Sequence, residues 1–279
     1  MTLPNFLVIG AQRSGTSLLH QILKNHPEVF VPQRRKEVHY FDRYFTRETE
    51  WYESYFPASA AASRYRAVGE VTPDYLGAPD VPARICDMLP EARLVAILRH
   101  PVDRAYSWYN FSRRNFNESR DFESFLRADQ TVLLYGLYHQ HLERYLTYFS
   151  RESLLILIYE ELITNPGEAL SELADFLGLT RAWPSPSTLV AKKVNTSELP
   201  RLPLCYSVIR RAAAILTRHD VNWPVRIARR VGVRKWLGGG TLPPPMSPET
   251  RAWLESFFEE DIRKLAALLQ RDLGIWTAR

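Results

Sequence analysis

A glycine-rich loop near the start of the chain has the residue types that bind a phosphate group. Gly10 and Gly15 are separated by four residues, and the hydroxyl pair Thr16 and Ser17 follows Gly15. In a strand–loop–helix unit, this loop would point successive backbone N–H groups at one anion, assisted by the helix dipole. The other interpretation is a polar loop that only joins a strand to a helix.

The loop differs from that of enzymes that hydrolyse nucleoside triphosphates. Such a loop requires lysine directly after the second glycine and then a hydroxyl group for Mg²⁺, whereas Thr16 follows Gly15 here. The only cation is Arg13, inside the loop, where it would lie against a single terminal group near the bridging oxygen. The spacing favours one short 5′-phosphorylated anion bound without a metal. A nucleotide kinase or NTPase is the alternative.

A second candidate anion site follows the apolar run Leu94–Leu98. Arg99 ends that run, and Ser107 lies about two turns into the helix that Pro101 begins. A basic residue at the carboxyl end of a strand points into the crevice where doubly wound sheets bind ligands, and arginine can clamp a phosphate. The Arg99–Ser107 spacing alone is weak evidence for an anion site, because an arginine at the start of a helix is more often on the surface. Two anion sites on one sheet, however, indicate a ligand phosphorylated at both ends.

A parallel sheet is needed to position these residues. Three apolar runs are typical of buried parallel strands, and each precedes a helical apolar pattern. The strands are predicted at Phe6–Ile9, Leu94–Leu98 and Leu154–Ile158, and helices over 15–24, from Pro101 to about Arg114, from Asn165–Pro166 to Gly178, and over about 247–270 with Ser247 as N-cap. This alternation predicts an α/β fold, a P-loop-like doubly wound parallel sheet flanked by helices.

We expect a single domain over residues 1–279, with a helical, lid-like excursion at about 181–248. That stretch is rich in proline and contains a glycine triplet at 238–240. Residues 201–235 include nine lysines and arginines against one acidic residue, Asp220. Such a run is usually an exposed face; the alternative is a patch that attracts an acidic acceptor or makes peripheral contact with a membrane surface.

Composition limits the classes of function. The chain is 46% apolar and 24% charged, ordinary for a globular protein, and its net charge of +5 favours anionic ligands without demonstrating nucleic-acid binding. Cys86 and Cys205 offer neither a disulfide framework nor metal-ligand spacing. The first residues lack a signal-peptide pattern, and no run of about 18 apolar residues occurs. We expect a cytoplasmic protein without a membrane span, a nucleic-acid partner or a metal.

Together these residues resemble the sulfotransferases that use 3′-phosphoadenosine 5′-phosphosulfate (PAPS). The resemblance is strongest to the branch of heparan sulfate glucosaminyl sulfotransferases and their bacterial relatives. The matching segments, in the family's order, are 6–19, 36–42, 69–75, 94–109 and 136–179. The resemblance implies an enzyme that moves a sulfuryl group from PAPS to an acceptor hydroxyl and leaves 3′-phosphoadenosine 5′-phosphate (PAP).

The resemblance also implies which residues bind the donor. The 5′-phosphosulfate would be held by Gln12, Arg13, Ser14, Gly15, Thr16 and Ser17. Arg99 and Ser107 would hold the 3′-phosphate, with only backbone N–H groups of Gly239 and Gly240 where relatives have basic residues. Arg13 replaces the family's usual lysine, and because arginine still neutralises a leaving phosphate, we expect function to survive.

On the acceptor side, Glu37 occupies the position of the general base in this branch. In an extended segment His39 would share a face with Glu37, so it could orient the carboxylate or contact the acceptor; a purely structural role stays open. The resemblance also implies that three residues of the matching segment 69–75 border the acceptor: Thr72, Pro73 and Asp74.

We expect the acceptor to be a small molecule, a lipid or a carbohydrate. Val71 stands where polysaccharide-modifying members often have lysine, which argues against a heparan-type acceptor. Aromatic residues that follow Glu37 indicate either core or an apolar acceptor wall: Tyr40, Phe41, Trp51, Tyr52, Tyr55 and Phe56. The remaining alternative for function is a protein that binds PAPS or PAP without catalysis, against which the presence of Glu37 argues.

Overall fold

The computed structural model describes residues 2–58, 63–180, 183 and 245–276, and within them one parallel sheet forms the centre of the fold. Its strands are β1 (Phe6–Gly10), β2 (Val29–Phe30), β3 (Ala67–Val71), β4 (Arg93–Leu98) and β5 (Leu154–Ile158). Their order in the sheet is β2-β3-β1-β4-β5. The central β1 pairs with β3 on one side and β4 on the other, so the carboxyl ends of these three strands are neighbours.

The three predicted strands are confirmed, and their composition explains why. Every residue of β1 and β5 is buried, as is all of β4 except Arg93. Strands that are covered on both faces have no polar face, so they appear in a sequence as unbroken apolar runs. The predicted α/β fold with a parallel sheet flanked by helices is therefore confirmed.

Two strands of the sheet were not predicted. β2 is only two residues long, too short to produce a pattern. β3 is fully buried, but Gly69 and Glu70 interrupt its apolar character. Gly69 faces the backbone of β1, where a Cβ would lie 2.3 Å from the Phe6 carbonyl oxygen. Because two backbones approach closely at Gly69 and Glu70 is a buried carboxylate, β3 has no continuous apolar run. A search for apolar runs therefore does not find this strand.

Helices connect and flank these strands. They are α1 (Thr16–Lys24), α2 (Tyr40–Arg43), α3 (Thr49–Glu53), α4 (Val81–Met88), α5 (Pro101–Phe116), α6 (Phe122–Ala128), α7 (Thr131–Leu134), α8 (Tyr138–Leu146), α9 (Tyr159–Thr164), α10 (Pro166–Leu177) and α11 (Pro248–Leu269). A 3₁₀ turn over Pro73–Tyr75 follows β3. The predicted helices correspond to α1, α5, α10 and α11 and are confirmed within two residues at each end.

Local chemistry sets the ends of these helices. Pro101 and Pro166 begin α5 and α10, where the missing N–H costs nothing. Gly178 ends α10 with a φ of 69°, in the left-handed region that favours glycine. Ser247 accepts a hydrogen bond from the Thr250 N–H at 3.1 Å, which confirms it as the N-cap of α11.

Apolar layers cover both faces of the sheet. Alternate residues of β1 point to opposite sides, with Leu7 and Ile9 in one layer and Phe6 and Val8 in the other. The aromatic residues after Glu37 belong to the first layer: Tyr40, Phe41, Tyr52, Tyr55 and Phe56 are buried there, with Trp51 packed against them. The core interpretation of these aromatics therefore holds, and they do not form an open acceptor wall.

The chain divides into two compact units. The first contains the sheet and consists of Met1–Arg104, Tyr135–Val194 and Phe257–Arg279; the second consists of Ala105–Leu134 and Asn195–Ser256. The predicted excursion at 181–248, with its basic segment 201–235, lies almost entirely outside the described residues, and a single domain stays a prediction. Within the described part of the chain, no helix combines the length and the apolar character that crossing a membrane requires.

Candidate active site

The loop between β1 and α1 has the geometry of an anion site. Gly15 has a φ of +96°, and a Cβ there would lie 2.5 Å from the Tyr159 ring, so backbone conformation and space both require glycine. α1 begins at Thr16, and the Leu19 N–H donates to the Gly15 carbonyl at 3.0 Å. The N–H groups of Thr16 and Ser17, in the first turn, have no intrahelical acceptor, so the positive end of the helix offers them to a ligand.

Arg13 lies inside this loop in an uncommon backbone conformation. Its φ of +66° falls in the left-handed region, which residues other than glycine seldom adopt. Ser14 beside it is fully buried. The Gln12 side-chain amide donates a hydrogen bond to the Asp74 carboxylate, which ties the loop to the turn after β3. Such local strain, held in place by surrounding contacts, is typical of functional loops.

Arg99 follows β4 and lies beside the same loop. Its guanidinium carbon is 5.1 Å from the centre of the Tyr159 ring, and its Nε is buried without a hydrogen-bond partner among the described residues. Tyr159 also lies against Gly15, so one aromatic ring contacts both predicted anion sites. A buried guanidinium N–H without an acceptor fits an anionic ligand that supplies one.

Of the three other predicted donor-binding residues, the described part of the chain contains only Ser107. Ser107 lies on α5, partly exposed, in the second compact unit, whereas Arg99 belongs to the first. Their joint binding of a 3′-phosphate stays a prediction. Gly239 and Gly240 lie outside the described residues.

The predicted base, Glu37, lies in an irregular segment before α2. One carboxylate oxygen, Oε1, is 3.1 Å from Lys36 Nζ, and the other, Oε2, is 3.6 Å from His39 Nε2. Lys36 Nζ also donates to Ser17 Oγ at 3.0 Å. The base is therefore joined through one lysine to the last residue of the predicted phosphosulfate loop.

His39 lies next to Glu37, but the segment is not extended as predicted. His39 has a φ of +61° and begins the turn into α2, so proximity to Glu37 results from a left-handed bend and not from alternation along a strand. Its Nδ1 is 2.9 Å from Asp42 Oδ2, and its side chain is almost fully buried. Glu37, His39 and Asp42 thus form a line, with each end of the imidazole facing a carboxylate.

Neighbouring charges set the protonation states of Glu37 and His39. Burial disfavours ionisation of Glu37, but the neighbouring His39 and Lys36 outweigh it and hold its pKa at about 2. Burial likewise disfavours a charged His39, but the bonded Asp42 and the Glu37 carboxylate outweigh it and raise its pKa to about 9. Near neutral pH, Glu37 is a carboxylate that can accept a proton, while His39 is an imidazolium that cannot.

Glu70 of β3 fixes the segment that contains Glu37. The Glu70 carboxylate is fully buried and accepts hydrogen bonds from the Val38 N–H at 3.3 Å, Thr72 Oγ1 at 2.6 Å, Tyr52 Oη at 2.8 Å and Tyr75 Oη at 3.0 Å. Burial raises its pKa, against the effect of those hydrogen bonds. The peptide next to Glu37 is therefore attached to the centre of the sheet.

The predicted acceptor residues lie in the turn after β3. Thr72 is fully buried and its hydroxyl donates to Glu70, and Pro73 begins the 3₁₀ turn. Asp74 is partly exposed and accepts hydrogen bonds from Gln12 and Arg43. These contacts link the turn to the donor loop and to α2, and a role of the three residues in acceptor binding stays a prediction.

One grouping near the base has ligand atoms close enough for a metal ion. The nearest oxygens or nitrogens of His39, Asp42 and Asp74 all lie within 4.8 Å of one another. His39 Nδ1 and Arg43 already pair with these carboxylates. We assign no metal to the group, and the expected absence of a metal stays a prediction.

Four residues of the site were missed in the sequence as functional positions: His20, Lys36, Glu70 and Tyr159. Lys36 stands in a Lys-Glu pair that is typical of solvated surface. Glu70 lies in a strand that has no continuous apolar run. His20 is buried on the apolar face of α1 with both ring nitrogens unpartnered among the described residues, which a helical pattern alone does not reveal.

Replacing His39 by glutamine should destabilise the protein in a pH-dependent way. The folded-state pKa of His39, about 9, lies above its ordinary value of 6.5. The stabilisation is therefore complete below pH 6.5 and disappears as pH rises through 9, and we expect it to reach about 1–3 kcal/mol. Urea unfolding at several pH values measures it. His139→Gln, next to the exposed Glu143, is the control, and a loss independent of pH would contradict the assignment.

Comparison with known proteins places the chain in a family. Residues 3–199 match the model of the sulfotransferase domain family. Bifunctional heparan sulfate N-deacetylase/N-sulfotransferase 3 of Mus musculus is 30% identical over 290 residues, which cover 96% of this chain and 30% of that protein. Heparan sulfate glucosamine 3-O-sulfotransferase 3B1 of Homo sapiens is 32% identical over 188 residues, which cover 64% of this chain and 47% of that protein.

A solved structure agrees with these matches. The crystal structure of a sulfotransferase from Alicyclobacillus acidocaldarius superposes with a TM-score of 0.68 and 25% identity, over 99% of this chain and 100% of that one. The chain spans only 30% of the length of the mouse relative, so what that whole protein does cannot be transferred to it directly. The domain match covers both the loop and the base segment, and the chain belongs to the family of PAPS-dependent sulfotransferases.

Proposed function

We propose that this chain transfers the sulfuryl group of PAPS to a hydroxyl group of a small-molecule, lipid or carbohydrate acceptor, with Glu37 as general base. The main support is the hydrogen-bonded connection from the donor loop to the base. Ser17 Oγ, Lys36 Nζ and Glu37 Oε1 follow one another at 3.0 and 3.1 Å. An ionised carboxylate therefore lies one side chain away from the end of the anion-binding loop.

The residues of the first unit fit an adenosine donor with charge at both ends. The α1 N-terminus and Arg13 supply N–H donors and a cation for the 5′-phosphosulfate. The buried Nε of Arg99, without an acceptor among the described residues, fits the 3′-phosphate. The Tyr159 ring lies between the two. Together these groups would bind and orient the donor, and orientation accounts for much of catalysis in transfers of this kind.

The reaction needs a base at the acceptor and a cation at the leaving group. The acceptor oxygen forms a bond to sulfur while the bond from sulfur to the 5′-phosphate oxygen breaks, and that oxygen keeps the electron pair. Glu37 takes the proton of the acceptor hydroxyl, and Arg13 neutralises the phosphate. The His39 imidazolium, held by Asp42, keeps the Glu37 carboxylate in place.

The surroundings of β3 argue against a heparan-type acceptor. The two relatives with heparan sulfate in their names share about a third of their matched residues with this chain. Val71, where polysaccharide-modifying members often have lysine, is fully buried in the apolar layer that contains Phe6 and Val8. A neutral acceptor agrees better with this position than a polyanionic one.

An assay with radiolabelled PAPS and a panel of sugar, aryl and fatty alcohols tests the proposal. We expect the label to move to at least one alcohol, and PAP, not ATP with Mg²⁺, to raise the melting temperature. Stabilisation by ATP with Mg²⁺ alone would instead indicate a kinase or NTPase. Stabilisation by PAP without transfer to any alcohol would indicate a binding protein.

Replacing Arg99 by alanine should weaken PAP binding by about 10–100-fold. A hydrogen bond to a charged group contributes about 1.5–3 kcal/mol, and each 1.4 kcal/mol is tenfold in affinity. Calorimetry measures the change. Arg93→Ala is the matched control, because Arg93 is exposed at the opposite end of the same strand. Unchanged affinity in Arg99→Ala would mean that the 3′-phosphate binds elsewhere.

A further inference from the structure

The Lys36 side chain hydrogen-bonds to both the donor loop and the base. Its Nζ lies 3.0 Å from Ser17 Oγ and 3.1 Å from Glu37 Oε1. The side chains of Lys36 and Glu37 are 26% and 39% exposed, so a ligand can reach both. Lysine is a compact charge on a flexible four-carbon stem, which allows it to change partners without moving the backbone.

The pairing of Lys36 with Glu37 opposes the function of a base. A carboxylate next to a cation binds a proton less readily, and a weaker base takes a proton from the acceptor less efficiently. The proposed reaction therefore proceeds best when Lys36 is no longer beside Glu37. The donor's sulfuryl oxygens would bring negative charge to the Ser17 end of the loop, which Lys36 already contacts.

We propose that Lys36 is a catalytic residue that binds the sulfuryl group of the donor and thereby leaves Glu37 free to act as base. The inference rests on the proposed function, because it assumes PAPS in the loop. Lys36 stays protonated during transfer: the acceptor proton goes to Glu37, and the electron pair of the broken sulfur–oxygen bond stays on the 5′-phosphate. Arg13 serves the phosphate side of that bond, and Lys36 the sulfuryl side.

The groups around Glu37 are consistent with this exchange. From α1, His20 faces Lys36 and Glu37; burial, with the charges of Lys36 and Lys24, lowers its pKa to about 4, so it is neutral and does not compete for the carboxylate. His39 remains on the far side of Glu37, with Asp42 and Asp74 behind it and Arg43 paired to both. The imidazolium thus keeps the carboxylate in position after Lys36 leaves.

Affinity for PAPS relative to PAP tests the contact without any turnover. PAP lacks the sulfuryl group, so Lys36→Met should weaken PAPS binding by about 10–100-fold and PAP binding by less than about threefold in calorimetry. Lys24→Met is the matched control: Lys24 is an exposed lysine on α1 and should change neither affinity. Lys36→Gln is a second variant with the same expectation, and circular dichroism checks that each variant folds.

Rate profiles test the second half of the inference. The pH dependence of kcat reports on groups in the full complex, and that of kcat/KM for PAPS on groups before the donor binds. Because a departing Lys36 raises the pKa of Glu37, the acid limb of kcat should lie at higher pH than the acid limb of kcat/KM in the unaltered protein. In Lys36→Met the two limbs should coincide.

The outcomes separate this inference from the proposed function. If the unaltered protein binds neither PAPS nor PAP, the proposed function fails. If it transfers sulfate but Lys36→Met loses PAPS and PAP affinity equally, or loses neither, Lys36 does not bind the sulfuryl group and only this inference is overturned. Acid limbs that differ in Lys36→Met as much as in the unaltered protein would overturn the release of Glu37.

Discussion

Replacing Glu37 by glutamine is expected to lower sulfuryl transfer by about 10²–10⁴-fold, the usual contribution of a general base. Glutamine keeps the size of the side chain and can still accept a hydrogen bond from Lys36, but its amide cannot take the acceptor proton. Because the donor loop is unchanged, affinity for PAP should stay within about threefold. Turnover with radiolabelled PAPS and calorimetry with PAP measure the two quantities.

Glu50→Gln provides the matched control for this experiment. Glu50 is exposed in the first turn of α3, within the same stretch of chain. The control should leave transfer and binding unchanged. Full transfer by Glu37→Gln would remove Glu37 from the mechanism, and a parallel loss of PAP affinity would show that the carboxylate supports the donor loop and not the proton transfer.

The sequence allowed the donor side of the site to be predicted because its chemistry is local. A loop of fixed length between a strand and a helix needs glycine at a left-handed position, and Gly15 has that φ. The run Leu94–Leu98 and the following Arg99 likewise occupy consecutive positions, so the strand end identifies the arginine. Motifs of this kind depend on backbone geometry over a few consecutive residues. The spacing of residue types in the sequence is therefore enough to predict them.

The contacts on the acceptor side are not local, and the sequence did not predict them. The Glu70 carboxylate is 32 residues from Val38 along the chain, and Lys36 is 19 residues from Ser17. Both contacts join segments that are distant in the sequence and become neighbours only in the folded chain. The left-handed bend at His39 has no sequence signal either, so the predicted proximity of His39 and Glu37 was right for a different reason.

Among these contacts between distant parts of the sequence, we expect those of Glu70 to contribute most to stability. Its carboxylate is the shared acceptor of one backbone N–H and three hydroxyls, and the four residues that donate are all fully buried. Oε2 accepts from the Val38 N–H and from Thr72, while Oε1 accepts from Tyr52 and Tyr75. Removing the acceptor leaves several polar groups in the core without a partner.

Glu70→Ala should therefore lower the free energy of unfolding by about 3–5 kcal/mol, since each unsatisfied buried group costs about 1–3 kcal/mol and the core relaxes in part. Glu70→Gln should lose only about 1–2 kcal/mol: its amide oxygen can keep the bonds of Oε2, while its NH₂ group donates to the two tyrosine hydroxyls after they rotate. Urea unfolding of both variants measures the difference.

Because the Val38 peptide adjoins Glu37, the alanine variant should also lose transfer activity in the fraction that remains folded. A Glu70→Ala variant as stable as the unaltered protein would mean that the hydrogen bonds of Glu70 do not organise the base segment.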